Sequence, residues 1–209
     1  MKLYQILAFS LFLLVSCTAS KVTQTDLNYV QTIENHRKNY KEAFLQAQHS
    51  PLAEADLKYL RFYPAAENFK VVAEFSKTEN AKPFDLTTSS GSKKKYVEYG
   101  KATFTIRDTI CTLSLYTSLQ LQSMPQYKDL LFVPFKDYTS AETTYGGGRY
   151  LDLQSTDIID NKTIIIDFNK AYNPYCAFQS TGWNCPIPPD ENYLKMHIEV
   201  GEKNFAKEK

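Results

Sequence analysis

The sequence has few of the residues that carry metal or nucleophilic chemistry. Its 209 residues include three histidines and four cysteines, and no histidine lies close in sequence to Cys176 or Cys185. The separation of this cysteine pair, nine positions, is longer than the C-x₂-C spacing typical of zinc sites. No serine–histidine–aspartate set and no paired-base arrangement is visible. We therefore predict no metal and no cofactor, and we favour a non-catalytic protein over an enzyme.

An excess of charge of either sign is missing as well. There are 24 basic and 23 acidic residues, a formal net charge of +1, so the chain as a whole has no electrostatic basis for binding nucleic acid. Hydrophobic residues make up 43% and aromatic residues 14%, which excludes an intrinsically disordered chain. The length, without an internal repeat or a marked change in composition, predicts one folded domain.

The apolar stretch at residues 6–15 is too short to span a bilayer, which takes about 20 residues. It follows Lys2 and leads into Leu14-Val15-Ser16-Cys17, which resembles a bacterial lipobox; a buried core helix is the alternative. We predict a lipoprotein signal peptide over 1–16, a tether over 17–26 and a single domain over 27–209. Acylated Cys17 is then expected to anchor the protein to the lipid bilayer of a bacterial cell envelope, on the periplasmic or outer-membrane side.

Two helices are predicted to begin the domain. Long or apolar side chains recur at intervals of three and four, the period of one helix face, at Val30, Ile33, Arg37, Tyr40 and Phe44. Ser50-Pro51 then offers an N-cap and a proline at the first helical position, which predicts a second helix over 51–60.

From residue 69 the period changes to two, which is typical of antiparallel strands with one buried face. Tight turns are expected at Arg107-Asp108-Thr109 and Asp160-Asn161-Lys162. The expected fold is mainly β (α+β): a single antiparallel β-barrel or sandwich of about eight strands with one or two N-terminal helices. The strands are predicted near 69–75, 83–88, 95–106, 109–119, 130–135, 149–154, 163–169 and 194–200.

Three of the seven glycines stand together at Gly146, Gly147 and Gly148, directly before Arg149. Adjacent glycines let backbone N–H groups approach an anion, although a plain turn between two strands is the alternative. Arg149 has the strand parity of Leu151 and Leu153, while Tyr150 and Asp152 face the other way. An arginine on an apolar face needs an acid or an anionic ligand.

Two interpretations of Arg149 therefore stay open. It either forms an internal salt bridge with Asp137, Glu142 or Asp167, or it holds the carboxylate or phosphate of a small ligand. In the second case Tyr145 and Asn173 are candidate neutral donors.

The cysteine pair allows several states. After export, Cys176 and Cys185 are expected to form a disulfide. Two buried free thiols, or a reactive or metal-binding thiol, are the alternatives. Cys111 shares its parity with Leu113 and Leu115, which predicts a core position.

Five motifs resemble those of the DUF1684 family of uncharacterised bacterial and archaeal proteins, over about 50–203. They are Phe132-Val-Pro-Phe-Lys-Asp-Tyr-Thr-Ser140, Thr144-Tyr-Gly-Gly-Gly-Arg-Tyr-Leu-Asp152, Asp167-Phe-Asn-Lys-Ala-Tyr-Asn-Pro-Tyr-Cys176, Cys185-Pro-Ile-Pro-Pro189 and Gly201-Glu-Lys203.

The resemblance implies no known activity. It directs attention to the motif residues Tyr145, Arg149, Asn173, Cys176, Cys185 and Asn192 without assigning a role to them. Ala141 stands where the family usually has glycine, which suggests that glycine is not required there for a site. Members of the family interpreted as cytoplasmic carry a similar cysteine pair, which keeps the thiol and metal alternatives open.

The leading hypothesis is a membrane-anchored, non-catalytic domain that binds a small anion or an acidic group of a partner through Arg149 and the glycine turn. The alternatives are a thiol-dependent enzyme with Cys176 as nucleophile and a purely structural envelope protein. The folded position of Arg149 relative to Cys176 separates these hypotheses.

Overall fold

The computed structural model describes residues 24–179 and 181–207, the first three of them through their backbone alone. The predicted signal peptide and Cys17 lie outside this part of the chain, so those predictions stay predictions. Within the described residues, no helix combines the length and the apolar character needed to cross a membrane.

The first helix, α1, spans Gln24–Gln46 and begins inside the range predicted as a tether. The helix face that was predicted to be buried is nearly correct. Ile33, Arg37 and Phe44 are buried, but the first contact is made by Tyr29, while Val30 is 39% exposed. Tyr29 donates a hydrogen bond of 2.8 Å to Asp167, which ties the helix to the sheet.

The second predicted helix is a 3₁₀ helix over Glu54–Tyr59, shorter than the expected 51–60. Ser50 does not act as its N-cap, because the Ser50 hydroxyl accepts a hydrogen bond from Leu52 N in a local turn. The Asp56 carboxylate accepts one from Ala53 N instead, which fixes the start of the 3₁₀ helix.

Eight strands form one sheet, in the order β6-β5-β4-β3-β1-β7, with β2 on β3 and β8 on β5. Every pair is antiparallel except β5–β8, which is parallel. The sheet forms a half-barrel, so the predicted mainly-β fold is confirmed. The strands are β1 Lys70–Lys77, β2 Phe84–Thr87, β3 Lys93–Ile106, β4 Thr109–Ser118, β5 Leu130–Asp137, β6 Arg149–Gln154, β7 Thr163–Asp167 and β8 Tyr193–Leu194.

The connections between strands contain short helical segments. One is a four-residue α-helix, α2, at Leu119–Gln122. Besides Glu54–Tyr59, the 3₁₀ segments are Glu67–Phe69, Pro125–Tyr127, Ser155–Asp157, Phe168–Lys170, Tyr175–Ala177 and Asp190–Asn192.

The two faces of the sheet bury different side chains. One face carries the main aliphatic core, with members such as Leu113, Val133 and Leu151. The other face carries a smaller cluster made of Leu86, Tyr96, Tyr116, Phe132 and Tyr150. Because side chains alternate along a strand, consecutive residues of β5 and β6 serve different clusters.

The predicted strand at 194–200 is wrong beyond its start, because β8 ends at Leu194. The alternation itself is present, since Leu194, Ile198 and Val200 are buried. The carbonyl groups of Ile198 and Val200, however, accept hydrogen bonds from Arg149 instead of from a neighbouring strand. A side chain thus takes the place of a strand partner.

Asn192 fills a gap between β4 and β5, which pair only at Tyr116 and Phe132. Its side-chain amide accepts from Ser114 N at 2.8 Å and donates to Ser114 O at 2.9 Å and Pro134 O at 2.8 Å. This motif residue therefore joins two strands of the sheet.

Candidate ligand-binding site

Arg149 lies in the interior, and its side chain is 0% exposed. Its Nη2 atom lies 2.8 Å from Asp137 Oδ2, and Nη1 and Nη2 also donate to the carbonyl groups of Ile198, Val200 and Glu202. Asp137 is one of the three acids that the sequence offers as partners. The structure therefore supports the internal salt bridge and corrects the predicted anion site, because protein atoms occupy the guanidinium fork that a ligand would need.

The three glycines form a turn that is packed against protein atoms. Gly148 has a φ of +90°, and a Cβ there would lie 2.6 Å from Pro188 Cγ and 2.7 Å from Phe135 O. The Tyr145 ring folds over Gly147, where a Cβ would lie 2.3 Å from the ring. Close approach of the chain to itself explains Gly147 and Gly148, in agreement with the plain-turn alternative.

Asn173 is buried beside Glu202. The Asn173 backbone N–H donates to Glu202 Oε2 at 2.8 Å, and Tyr40 donates to the same oxygen at 2.9 Å. The Asn173 amide nitrogen donates to Lys203 O. Glu202 Oε1 and Asn173 Oδ1 are buried acceptors that receive no hydrogen bond from any described residue. A proton on Glu202 would supply a donor, and burial raises the pKa of Glu202 to about 7.

Cys176 and Cys185 form a disulfide, with 2.10 Å between the sulfur atoms, as predicted. Ser89, in the β2–β3 connection, accepts a hydrogen bond from Cys185 N at 3.2 Å. In this state Cys176 has no thiolate, so the thiol-enzyme hypothesis lacks its nucleophile. Cys111 is a buried free cysteine, in agreement with its predicted core position.

The aromatic face of the sheet borders a cavity of about 660 Å³. Its floor comes from β3, β4, β5 and β6, and its walls come from the second half of α1 and from residues 172–175 and 183–186. The volume falls within the range of small-molecule sites, about 300–1,000 Å³. Nine aromatic side chains line it: Tyr40, Phe44, Tyr96, Tyr127, Phe132, Tyr150, Tyr172, Tyr175 and Trp183.

The rings that form the floor are in contact with one another. Phe132 and Tyr150 meet edge to face at 4.7 Å between centroids, and Tyr150 meets Tyr172 in the same way at 5.8 Å. Tyr96 stacks on Phe132 at 5.6 Å. Such contacts hold large apolar surfaces in defined orientations, so the cavity is built before any ligand enters.

Among the described residues, Asp152 is the carboxylate that lines the cavity. It lies on β6, paired with Phe132 of β5, and Oδ2 accepts a hydrogen bond of 2.9 Å from the Tyr172 hydroxyl. The side chain is exposed, but the surrounding protein limits the hydration of its charge and so raises the pKa of Asp152, while the Tyr172 hydrogen bond acts in the opposite direction.

Three basic side chains, Lys94, Lys170 and His36, also line the cavity. Lys94 donates to Asn184 O at 2.8 Å, and burial lowers the pKa of Lys94. Burial and the neighbouring Lys170 lower the pKa of His36, which favours its neutral form at neutral pH. In the described ranges 24–179 and 181–207, no group of three His, Cys, Asp or Glu side chains is placed to hold a metal ion.

Residues 55–203 match the model of a family described as "Protein of unknown function (DUF1684)". The chain belongs to this family. No curated protein matches the chain. Among solved structures, the DUF1684 chain is similar to the solution NMR structure of an uncharacterized protein from Haloarcula marismortui, with 26% identity and a TM-score of 0.65, over 86% of this chain and 96% of that one.

Of the six residues that the motifs of this DUF1684 protein singled out, Cys185 alone lines the cavity. Other residues of the same motifs, among them Tyr150, Asp152 and Tyr172, line it as well. Arg149, Asn173 and Glu202 meet in the interior, and Tyr145 lies with the glycine turn. The two faces of β6 carry the side chains that their alternation predicts, but the face that carries Arg149 is packed and the opposite face borders the cavity. The sequence feature that indicated the cavity is the alternation along β6, which places Tyr150 and Asp152 on the face opposite to Arg149.

Proposed function

We propose that this protein is a non-catalytic binding domain, tethered to the bacterial cell envelope, whose aromatic cavity takes a small ligand with a flat apolar body and an acidic group. The preformed aromatic cavity carries the proposal. Its volume of about 660 Å³ exceeds the space that a few ordered waters need, and its lining is mainly apolar with a few polar groups, as in small-molecule sites.

The acidic group of the ligand is assigned to the side of the cavity that carries Lys94 and Lys170, called the lysine side. Lys94 and Lys170 make no ion pair with a carboxylate among the residues that the structure describes. A ligand carboxylate or phosphate would supply the missing negative charge, and desolvation inside an aromatic cavity strengthens such a pair. These lysines replace Arg149 in the anion-binding hypothesis.

The envelope location rests on the N-terminal sequence and is supported by the disulfide. Residues 6–15 lead into Cys17 in a pattern that resembles a lipobox, and a Cys176–Cys185 bond persists best outside the reducing cytosol. Cys17→Ser is expected to give an uncleaved precursor that takes up no fatty-acid label. Equal labelling of this variant and the wild type would contradict the anchor.

A neutral fluorescent probe, N-phenyl-1-naphthylamine, tests the cavity. Trp183 is the only tryptophan and lines the cavity, so energy transfer from it to the probe reports binding there. Saturable binding is expected. Ala43→Phe, at an exposed position of α1 that lines the cavity, should weaken it at least fivefold, whereas Leu45→Phe on the same helix should not.

The acidic group is tested by displacing the probe with phenylacetate or with 2-phenylethanol. Phenylacetate should bind more tightly, and Lys94→Met should remove the difference while Lys95→Met should keep it. Lys95 is a matched control because its side chain does not line the cavity and instead pairs with Asp85 at 2.7 Å. If the folded protein binds no probe, or Ala43→Phe has no effect, the cavity is not a ligand site and the structural-protein alternative is favoured.

A further inference from the structure

The carboxylate of Asp152 lines the cavity and has no positive partner among the residues that the structure describes. Its one hydrogen bond comes from the neutral Tyr172 hydroxyl, and in the described part of the chain no lysine, arginine or histidine nitrogen lies within 4.0 Å of it. Asp152 is exposed where it lines the cavity, so the charged group of a ligand can reach its carboxylate directly. The protein around it limits the hydration of the charge, which strengthens a pair with a cation.

The basic residues of the cavity are not placed for this task. Lys94 lies on β3, three strands away from β6 in the sheet order, which is roughly 14 Å of backbone at the usual strand spacing. Its ammonium group is held by Asn184 O on the opposite wall. His36 favours its neutral form, because burial and the nearby charge of Lys170 lower the pKa of His36.

The surroundings of Asp152 are those that bind an organic cation. Phe132 is its partner across β5 and β6, Tyr150 lies two residues before it on the same face, and Tyr172 holds its oxygen. Aromatic rings attract ammonium groups through their negative faces, and the attraction increases when water is excluded. A carboxylate next to such rings adds a charge-assisted hydrogen bond.

We propose that the ligand presents a positively charged amine to Asp152, against the rings of Phe132, Tyr150 and Tyr172. This inference rests on the proposed function, because it needs a ligand in the cavity, and it adds the substrate class: an organic amine with an apolar body. Together with an acid at the lysine side, it describes a ligand with opposite charges at two ends.

Two isosteric compounds, 2-phenylethylamine and 2-phenylethanol, test the proposal by displacing N-phenyl-1-naphthylamine from the full protein at neutral pH. The amine is expected to bind at least about tenfold more tightly than the alcohol, as a cation–π contact with a charge-assisted hydrogen bond predicts. Asp152→Asn should abolish this preference and leave the affinity for the alcohol unchanged. The Asn side chain can still accept the Tyr172 hydrogen bond, so the fold is expected to persist.

Asp160→Asn is the matched control, since Asp160 is exposed in a turn with a φ of +50° that asparagine also adopts. It should keep the amine preference, and so should Tyr172→Phe, which retains the carboxylate. Equal binding of amine and alcohol by the wild type, or a preference that survives Asp152→Asn, would overturn the proposal while probe binding still supports the cavity. Failure of the probe to bind would overturn both.

Discussion

The Arg149 guanidinium and the Asp137 carboxylate form an ion pair of 2.8 Å in which the two side chains are 0% and 1% exposed. The same guanidinium binds carbonyl groups of the extended segment 198–202, so one side chain fastens the C-terminal segment to β5 and β6. This arrangement makes Arg149 a structural residue and leaves the opposite face of β6 for the cavity.

Replacing Arg149 should destabilise the protein strongly. Arg149→Ala strands a buried carboxylate and several carbonyl groups, so we expect the free energy of unfolding to fall by about 3–5 kcal/mol. Arg149→Lys should also be destabilising, because one ammonium group cannot reach Asp137 and the carbonyl groups together. Urea unfolding measures the loss. The exposed Arg61→Ala should cost about 1 kcal/mol or less, and a stable Arg149→Ala would contradict the structural role.

Ala141→Gly should stabilise the protein. Ala141 has a φ of +69°, a left-handed conformation that costs an alanine about 1–2 kcal/mol and a glycine almost nothing. The greater freedom of glycine in the unfolded chain offsets part of the gain, which leaves about 0.5–1 kcal/mol. Thermal unfolding measures it. Ala43→Gly, in the last turn of α1, should instead cost up to about 1 kcal/mol, so equal effects of the two substitutions would refute the explanation.

Glu202 should make stability fall as the pH rises. Burial raises its pKa from 4.5 to about 7. Below pH 4.5 the group is protonated in both the folded and the unfolded chain. Between pH 4.5 and about 7 the unfolded chain releases the proton while the folded chain keeps it, so stability is lost by up to about 1.4 kcal/mol per pH unit.

Glu202→Gln checks this dependence, because the amide resembles the protonated carboxyl and can donate to Asn173 Oδ1. Urea unfolding across this pH range should show the variant gaining stability relative to wild type as the pH rises. Glu199→Gln, at an exposed position, should follow the wild-type curve. A constant difference between Glu202→Gln and wild type would show that Glu202 does not titrate in this range.

Thiol counting should detect one free thiol apart from Cys17. In denaturant without reductant, Cys111 is expected to react and the Cys176–Cys185 pair is not, and Cys111→Ser should remove the signal. Joint replacement of Cys176 and Cys185 by serine should cost about 2–3 kcal/mol, because the unfolded chain gains freedom. Three reactive thiols in the protein isolated without reductant would contradict the bond.

Local patterns predicted most of the strands. The bounds of β6 agree with the predicted 149–154, and β3 and β4 join at Arg107 and Asp108, whose φ values are +46° and +62°. Alternation and turn preferences depend on residues that are close in sequence, so they can be recognised without knowledge of the fold. The same alternation misplaced a strand at 194–200, because its hydrogen-bond partner is a side chain about fifty residues away.

The sequence by itself determined that Arg149 and Leu151 share one face of β6 and that Tyr150 and Asp152 share the other, since side chains alternate along any strand. It did not determine which face is packed and which borders a cavity, because both carry large apolar groups. Only the tertiary structure decided this. The C-terminal segment packs against Arg149, whereas α1 and residues 172–175 and 183–186 lie over Tyr150 and Asp152 and leave a cavity of about 660 Å³.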